Sequence, residues 1–171
     1  MKIVFAPLAL CLAIAGCAGM GSTAPTAIAS LQPTKGSTVT GTVNFSRQGD
    51  KILVVASVNG LKPGAHGFHI HEKGDCSSGD GMSAGGHFNP GGHPHGHHGT
   101  TTRHAGDMPN LEANSYGNAT LAVELDSISI GEGKADILGR AVIVHVNQDD
   151  YVSQPVGNAG GRLACGVIQK S

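Results

Sequence analysis

Histidines are the residues in this sequence whose type and spacing could do chemistry. The chain has 171 residues and 10 histidines, most of which fall in one stretch between residues 66 and 104. His69 and His71 flank a single isoleucine in a β-rich run. Alternate side chains on a strand share a face, so these imidazoles are expected to point the same way, with Cα atoms about 6–7 Å apart. Such a pair could share a metal ion, although the same pattern also occurs on strand surfaces that bind none.

Five further candidate metal ligands follow at wider spacings: His87, His95, His104, Asp107 and, in a distant β-rich run, His145. Imidazole nitrogens with a single carboxylate make a plausible zinc site, whereas an all-imidazole set suits copper. Zinc has no redox chemistry, so any electron transfer to a substrate would have to use copper. Coincidence is a poor explanation for this arrangement of candidate ligands.

Five sequence blocks resemble the signature blocks of the copper,zinc superoxide dismutase family: GFHIHEKGDC, SAGGHFNP, TRHAGDMPN, GRAVIVHVNQDD and GNAGGRLACGVI. They occur in order and cover most of residues 64–168. The resemblance implies an all-β fold, an eight-stranded antiparallel Greek-key barrel or sandwich with two long functional loops. It also implies a superoxide dismutase, which converts superoxide to dioxygen and hydrogen peroxide by alternate reduction and oxidation of a histidine-bound copper ion.

The same resemblance implies the ligands of a single copper ion and a single zinc ion per subunit. Copper would be bound by His69, His71, His87 and His145. Zinc, in a structural role, would be bound by His87, His95, His104 and Asp107. His87 would bridge the two ions as an imidazolate and would supply a proton during the reaction.

Two more residues match family positions near the metals. Arg162 matches the arginine beside the copper, where its guanidinium would hold the superoxide anion by charge-assisted hydrogen bonds. Asp149 resembles the aspartate that links ligand histidines of both metals and fixes their orientation. Because Asp150 adjoins it, a solvated loop charge is the alternative interpretation of Asp149.

Four histidines lie outside the implied ligand set. His66 is expected to be structural. The family pattern does not supply His93, His97 and His98, which surround His95 in GGHPHGHHG. They could be spectators, an additional metal-capture tract or rivals of His95 for zinc.

The N-terminal segment predicts export. Lys2 precedes an apolar run over residues 3–14 that is too short to span a bilayer, so residues 1–16 are expected to be a signal peptide. The run ends in IAGC at Cys17, which resembles the lipobox of bacterial lipoproteins; ordinary secretory cleavage near Ala18 or Ala24 is the alternative. Residues 17–34 are expected to form a lipid-anchored flexible tether and residues 35–171 the folded domain. This places the protein in the bacterial cell envelope or periplasm, with a lipid anchor in a membrane.

The cysteines fit an oxidising compartment. Cys11 would leave with the signal peptide and Cys17 would carry the lipid, so Cys76 and Cys165 remain. Two thiols outside the cytosol suggest one disulfide bond, with joint metal ligation as the alternative. The family resemblance also places Cys76 in the loop after His71 and Cys165 in the final signature block.

The elements that must position these residues are short strands. Residues 39–47 and 51–58 predict a hairpin, and further β-rich runs cover residues 65–71, 119–125, 141–146 and 163–168. No segment has a convincing helical period, which favours an antiparallel sandwich or barrel. The irregular stretches 72–118 and 147–162 are long enough to be functional loops.

The overall charge is unremarkable. The formal net charge is −1, so nothing indicates nucleic acid or an acidic membrane surface as a partner. The expected partner is superoxide itself, with membrane contact only through the N-terminal lipid; a homodimer is left open. A copper or zinc buffer or chaperone in the envelope, and a purely structural β-sandwich, are the competing interpretations.

Overall fold

The computed structural model describes residue 1 and residues 26–171. Cys17 and, apart from Met1, the expected signal peptide lie outside the described residues. Where the chain is described, no helix is long and apolar enough to cross a membrane.

The described chain forms nine β-strands and one 3-10 turn, with no α-helix between residues 26 and 171. The strands are β1 (Ala27–Pro33), β2 (Thr40–Gln48), β3 (Lys51–Asn59), β4 (Gly64–His66), β5 (Phe68–His71), β6 (Leu111–Ala113), β7 (Ala119–Leu125), β8 (Ala141–His145) and β9 (Arg162–Lys170). The 3-10 turn is Met82–Ala84.

Seven strands form one antiparallel sheet in the order β5-β8-β9-β1-β2-β3-β7, and β4 pairs with β6 in a small second sheet. The chain enters β8 from β7, at the opposite edge of the large sheet, and β9 then returns beside β1. These long crossovers are typical of Greek-key folds. The expected all-β Greek-key barrel or sandwich is therefore confirmed, and the predicted hairpin corresponds to β2 and β3.

The strand count exceeds the expected eight because the run over residues 65–71 is divided at Gly67. Its two parts, β4 and β5, pair with different partners, β6 and β8. The backbone of Gly67 bonds to Asn147 and His145. A Cβ atom at Gly67 would lie 2.8 Å from the Cβ of Ala159, closer than real side chains approach, so glycine is needed where the strand breaks.

The expected tether, residues 17–34, is wrong for residues 27–33, which form β1 between β2 and β9. Ala27, Ala29 and Leu31 are buried in the core, and Ser30 and Gln32 are exposed. This period-two alternation is typical of a strand with one buried face. The alternation is hard to see in the sequence, because two of the three buried residues are alanines and the larger Ile28 lies on the other face.

The two strands that matter most for the site are buried on both faces. In β5, Phe68 and Ile70 belong to the main apolar core, and in β8, Val142 and Val144 do. The alternate residues point to the other face, which the loops cover. That covered face is where histidines of both strands lie.

Candidate metal centre

Three histidines share the covered face because of strand register. His69 lies opposite Ile143, and His71 lies opposite Ala141, in the antiparallel pair of β5 and β8. His145 is two residues beyond Ile143, so its side chain points to the same face. All three histidines are buried.

A fourth histidine, His87, reaches this face from the long loop. Its backbone forms an isolated antiparallel bridge with His71. The four donor atoms of the four-histidine group lie within 4.8 Å of one another. The group comprises His69, His71, His87 and His145.

A second set of donors, the mixed group, shares His87 with the first. Its donor atoms also lie within 4.8 Å of one another, and every member is buried. The mixed group comprises His87, His95, His104 and Asp107. In residues 26–171, these two groups are the ones that bring three or more such donors together.

Hydrogen bonds fix which nitrogen each strand histidine turns toward the centre of the four-histidine group. His69 Nε2 lies 2.7 Å from Asp149 Oδ2. His71 Nδ1 lies 2.9 Å from the carbonyl oxygen of Gly85, and His145 Nδ1 lies 3.2 Å from that of Gly160. These contacts leave His69 Nδ1 and the Nε2 atoms of His71 and His145 as the nitrogen atoms whose lone pairs are available to a metal ion.

The free donors suit a metal ion. His69 Nδ1 and His87 Nε2 are buried without a hydrogen-bond partner, and the Nε2 atoms of His71 and His145 face each other at 3.4 Å. Buried polar atoms of this kind are costly unless something pairs with them. A cation coordinated by the converging lone pairs would do so, and the residues therefore fit a metal.

Asp107 is the centre of the mixed group. Its Oδ1 lies 2.9 Å from His87 Nδ1 and 3.1 Å from His95 Nδ1. Its Oδ2 accepts backbone hydrogen bonds from Gly96 at 3.1 Å and His104 at 2.9 Å. His104 Nδ1 is buried without a hydrogen-bond partner. Three imidazoles and one carboxylate of this geometry match the usual donor set of zinc.

Asp149 joins the two groups. One carboxylate oxygen lies 2.7 Å from His69 Nε2 and the other lies 2.9 Å from His95 Nε2. The carboxylate is buried, so it is not a solvated loop charge. Asn110 holds the backbone of Asp149 on both sides, at 2.8 and 3.0 Å. A contact of this type fixes the orientation and tautomer of a ligand histidine.

Burial sets the protonation of the four-histidine group. It holds the pKa values of His71 and His145 well below the ordinary histidine value and lowers that of His69. Burial, followed by the neighbouring His69, lowers the pKa of His87 to about 3. These imidazoles are therefore neutral near pH 7, the form that binds metal.

At His95 in the mixed group, hydrogen bonding to carboxylates has a larger effect on the pKa than burial has. Burial opposes its charged form, but hydrogen bonds to Asp107 and Asp149 outweigh burial and raise the pKa of His95 to about 9. Burial likewise opposes ionisation of both aspartates, yet their histidine partners hold both pKa values well below the ordinary range. Without metal, His95 therefore holds a proton near pH 7, and a cation bound by the mixed group would displace it.

Arg162, the first residue of β9, lies next to the four-histidine group. Its guanidinium donates hydrogen bonds to the carbonyl oxygens of Gly81 at 2.6 Å and Gly85 at 2.5 Å. The same Gly85 oxygen contacts His71 Nδ1. One carbonyl therefore positions both the arginine and a candidate ligand, and Arg162 as a residue is half-buried.

The predicted disulfide bond between Cys76 and Cys165 is confirmed, with Cα atoms 5.8 Å apart. Cys165 lies in β9, and both cysteines pack with Ala84 and Ile143 in a small second core. The bond ties the loop to the strand that begins with Arg162. It thereby holds the segment that carries the Gly81 and Gly85 carbonyls.

The remaining histidines lie outside both groups. The ring nitrogens of His66 lie 2.8 and 2.9 Å from the backbone carbonyl oxygens of His145 and Lys62, as expected for a structural residue. His93 and His97 are exposed, and His98 is half-buried.

Sequence reasoning missed several residues that hold the loops. The side chain of Gln154 accepts a hydrogen bond from the backbone N–H of His95 and donates one to its carbonyl, both at 2.8 Å. The Gly85 carbonyl and Asn110 were also missed. No sequence signal marks them, because a backbone oxygen has no side-chain identity and polar loop residues are common.

Comparison with known proteins agrees with this geometry. Residues 39–168 match the family model described as copper/zinc superoxide dismutase. The chain is also similar to the solved crystal structure of the clock protein EA4, at 42% identity and a TM-score of 0.78. That similarity covers 88% of this chain and 98% of the other. The chain therefore belongs to the copper/zinc superoxide dismutase family.

Proposed function

We propose that this protein is a superoxide dismutase that converts superoxide to dioxygen and hydrogen peroxide. The observation that carries the proposal is the shared position of His87. Its Nδ1 lies 2.9 Å from Asp107 in the mixed group, and its Nε2 is a buried, unpartnered member of the four-histidine group. One imidazole common to two donor sets is suited to bridging two metal ions.

We assign copper to the four-histidine group and zinc to the mixed group, one ion each per subunit. All-imidazole sets suit copper, whereas imidazoles with one carboxylate suit zinc. When bound, copper supplies the one-electron redox chemistry that the reaction needs, and zinc supplies a fixed charge without redox activity.

His87 and Arg162 are the residues to which we assign direct roles. Nε2 of His87 is the atom that would hold a proton and release it to the reduced oxygen product, while Nδ1 stays directed at the mixed group. Arg162 would hold the superoxide anion, because its guanidinium is always charged and lies one shared carbonyl away from His71. The carbonyls of Gly81 and Gly85 keep that guanidinium from turning away into solvent.

The proposal is tested by superoxide decay, measured by pulse radiolysis, with purified protein loaded with copper and zinc. Arg162→Ala should lower the rate constant about 10- to 100-fold, the usual worth of a charge-assisted hydrogen bond. Arg47→Ala is the matched control, because Arg47 pairs with Glu132 on the exposed surface. Failure of the loaded wild-type protein to accelerate decay would contradict the proposal and favour a metal buffer. An unaffected Arg162 variant would remove only the anion-binding role.

We also propose that the protein is exported and anchored in the bacterial envelope through a lipid on Cys17. The support is the sequence IAGC after a short apolar run. Metabolic labelling with a radioactive fatty acid should mark the wild-type protein but not Cys17→Ser. Labelling of both proteins, or of neither, would contradict lipidation at this cysteine.

Sedimentation of the purified protein would separate a monomer from a homodimer.

A further inference from the structure

Thr34, the residue that directly follows β1, contacts the backbone of Arg162. Its hydroxyl oxygen lies 2.6 Å from the carbonyl oxygen of Arg162 and 3.1 Å from that of Leu163. A hydroxyl has one hydrogen to donate, and the shorter distance assigns it to Arg162. The backbone N–H of Thr34 donates to the Leu163 carbonyl at 3.0 Å. Thr34 is buried, so these bonds are shielded from water.

Residues 34 and 35 also contact the loop that orients the guanidinium. The backbone N–H of Lys35 donates a hydrogen bond to the carbonyl oxygen of Gly79 at 2.6 Å. Two residues further along that loop, the Gly81 carbonyl accepts a hydrogen bond from the Arg162 guanidinium. A Cβ atom at Gly81 would lie 3.4 Å from Cγ2 of Thr34 and 3.3 Å from Cδ of Arg162. Both side chains therefore pack against Gly81.

Arg162 is thus held at its main chain and at its guanidinium by contacts that converge on one short segment. The main-chain carbonyl bonds to the Thr34 hydroxyl, and the guanidinium bonds to a loop that residues 34 and 35 contact. The disulfide bond joins the same loop to β9 at a different point, Cys165. Thr34 belongs to neither donor group, so loss of its hydroxyl should disturb the arginine without removing a metal ligand.

We propose that Thr34 is a positioning residue for anion binding. Its hydroxyl fixes the backbone of Arg162 and thereby the place of the guanidinium beside the four-histidine group. The proposal rests on the anion-binding role proposed above for Arg162, and it extends that role to a residue at the C-terminal end of the expected tether.

The first test is azide binding to protein loaded with copper and zinc, followed by the absorption band that azide gives on Cu(II). Azide is a small anion that Arg162 should attract as it would superoxide. Thr34→Val removes the hydroxyl but keeps the branched shape, so the dissociation constant for azide should rise about three- to tenfold, the worth of one side-chain hydrogen bond. Thr34→Ser retains the hydroxyl and should bind azide as the wild type does. Thr120→Val, at an exposed position of β7, is the matched control.

A double-mutant cycle shows whether Thr34 acts through Arg162. In an Arg162→Ala background, Thr34→Val should have no further effect on azide affinity, because no guanidinium is left to position. Additive losses would contradict positioning through Arg162. Unchanged affinity in Thr34→Val, or equal weakening in Thr34→Ser, would also overturn the proposal.

A second measurement follows Arg162 directly, with a readout that does not use copper. Phenylglyoxal modifies accessible guanidinium groups, and peptide mass spectrometry reports each arginine separately. In Thr34→Val, Arg162 should react about three- to tenfold faster than in the wild type. Arg47, which pairs with Glu132 on the exposed surface, should react at an unchanged rate in both proteins. Equal rates at Arg162 would contradict the positioning role.

Neither the azide titration nor the modification rate depends on dismutase activity. A loaded protein that fails to accelerate superoxide decay but shows both effects of Thr34→Val would contradict the proposed function and support the positioning role. An active protein in which Thr34→Val has neither effect would do the reverse.

Discussion

The four-histidine group and the mixed group share His87, yet the fold holds them in different ways. Three members of the four-histidine group stand on β5 and β8, where sheet register brings them to one face. Every member of the mixed group comes from the loop between residues 87 and 107, and the hydrogen bonds that this loop donates to Asp107, Asp149 and Gln154 hold it in place. Strand register thus positions three of the four histidines of the four-histidine group, whereas polar contacts of the loop position the mixed group. Changes in loop contacts should therefore disturb the mixed group first.

The largest effect is expected from removing a strand ligand. His145→Ala should lower superoxide-decay activity by at least about 100-fold. Replacing the hydrogen-bond partner of a metal ligand already lowers activity about 10- to 100-fold, and loss of the ligand itself should cost at least as much. Metal analysis should find copper lost and zinc retained, since His145 belongs only to the four-histidine group. His93→Ala is the control. Loss of both metals in equal measure would contradict separate support of the two groups.

Removal of the disulfide bond should cost stability across the whole domain. Cys76→Ala/Cys165→Ala opens a link between residues 89 positions apart. The free energy of unfolding should fall by about 2–5 kcal/mol, as measured by urea denaturation of the metal-free protein. Dismutase activity should also fall, because the loop that holds Gly81 and Gly85 loosens around Arg162. Full activity at normal metal content would show that the loop holds the arginine without the disulfide.

The contact that joins the two groups should affect both. Asp149→Asn keeps the shape of the side chain but cannot accept hydrogen bonds from both His69 and His95 through two carboxylate oxygens. Affinity for copper and for zinc should each fall by about 10- to 100-fold, as measured by competition with chelators. Asp150→Asn is the matched control, because this adjacent half-buried carboxylate bonds to Val152, Ser153 and Asn158 and to neither histidine. A loss confined to one metal would contradict the linking role of Asp149.

The smallest and most selective effect is expected at Gln154. Gln154→Ala removes both hydrogen bonds to the backbone of His95, worth roughly 1 kcal/mol together, so zinc should leave about fivefold faster. Copper release should be unchanged, because His95 belongs only to the mixed group. Gln169→Ala, at an exposed position of β9, is the control. Faster copper release in the Gln154 variant would mean that loop support reaches the strand-built group.

Sequence reasoning worked best where spacing carries the information. His69 and His71 alternate on a strand, and the wider intervals from His87 to Asp107 are recognisable as a set. It failed for residues 27–33, where two of the three buried residues are alanines and the buried face therefore carries little apolar signal. It also could not decide between a linking role and a solvated charge for Asp149. That choice depends on burial, and burial of a loop residue depends on what packs over it.

The amino-acid sequence by itself determined the donor chemistry of this protein: which imidazoles and carboxylate are available, and that short strands must carry some of them. Only the tertiary structure decided which ring nitrogen of each histidine faces a common centre, and that His87 belongs to two groups at once. The physical reason is the separation along the sequence over which each property acts. Residue type and strand alternation are local properties, whereas the contacts from Gly85, Asp149 and Gln154 join residues 14 to 80 positions apart. Such contacts exist only after the loops have packed against β5 and β8.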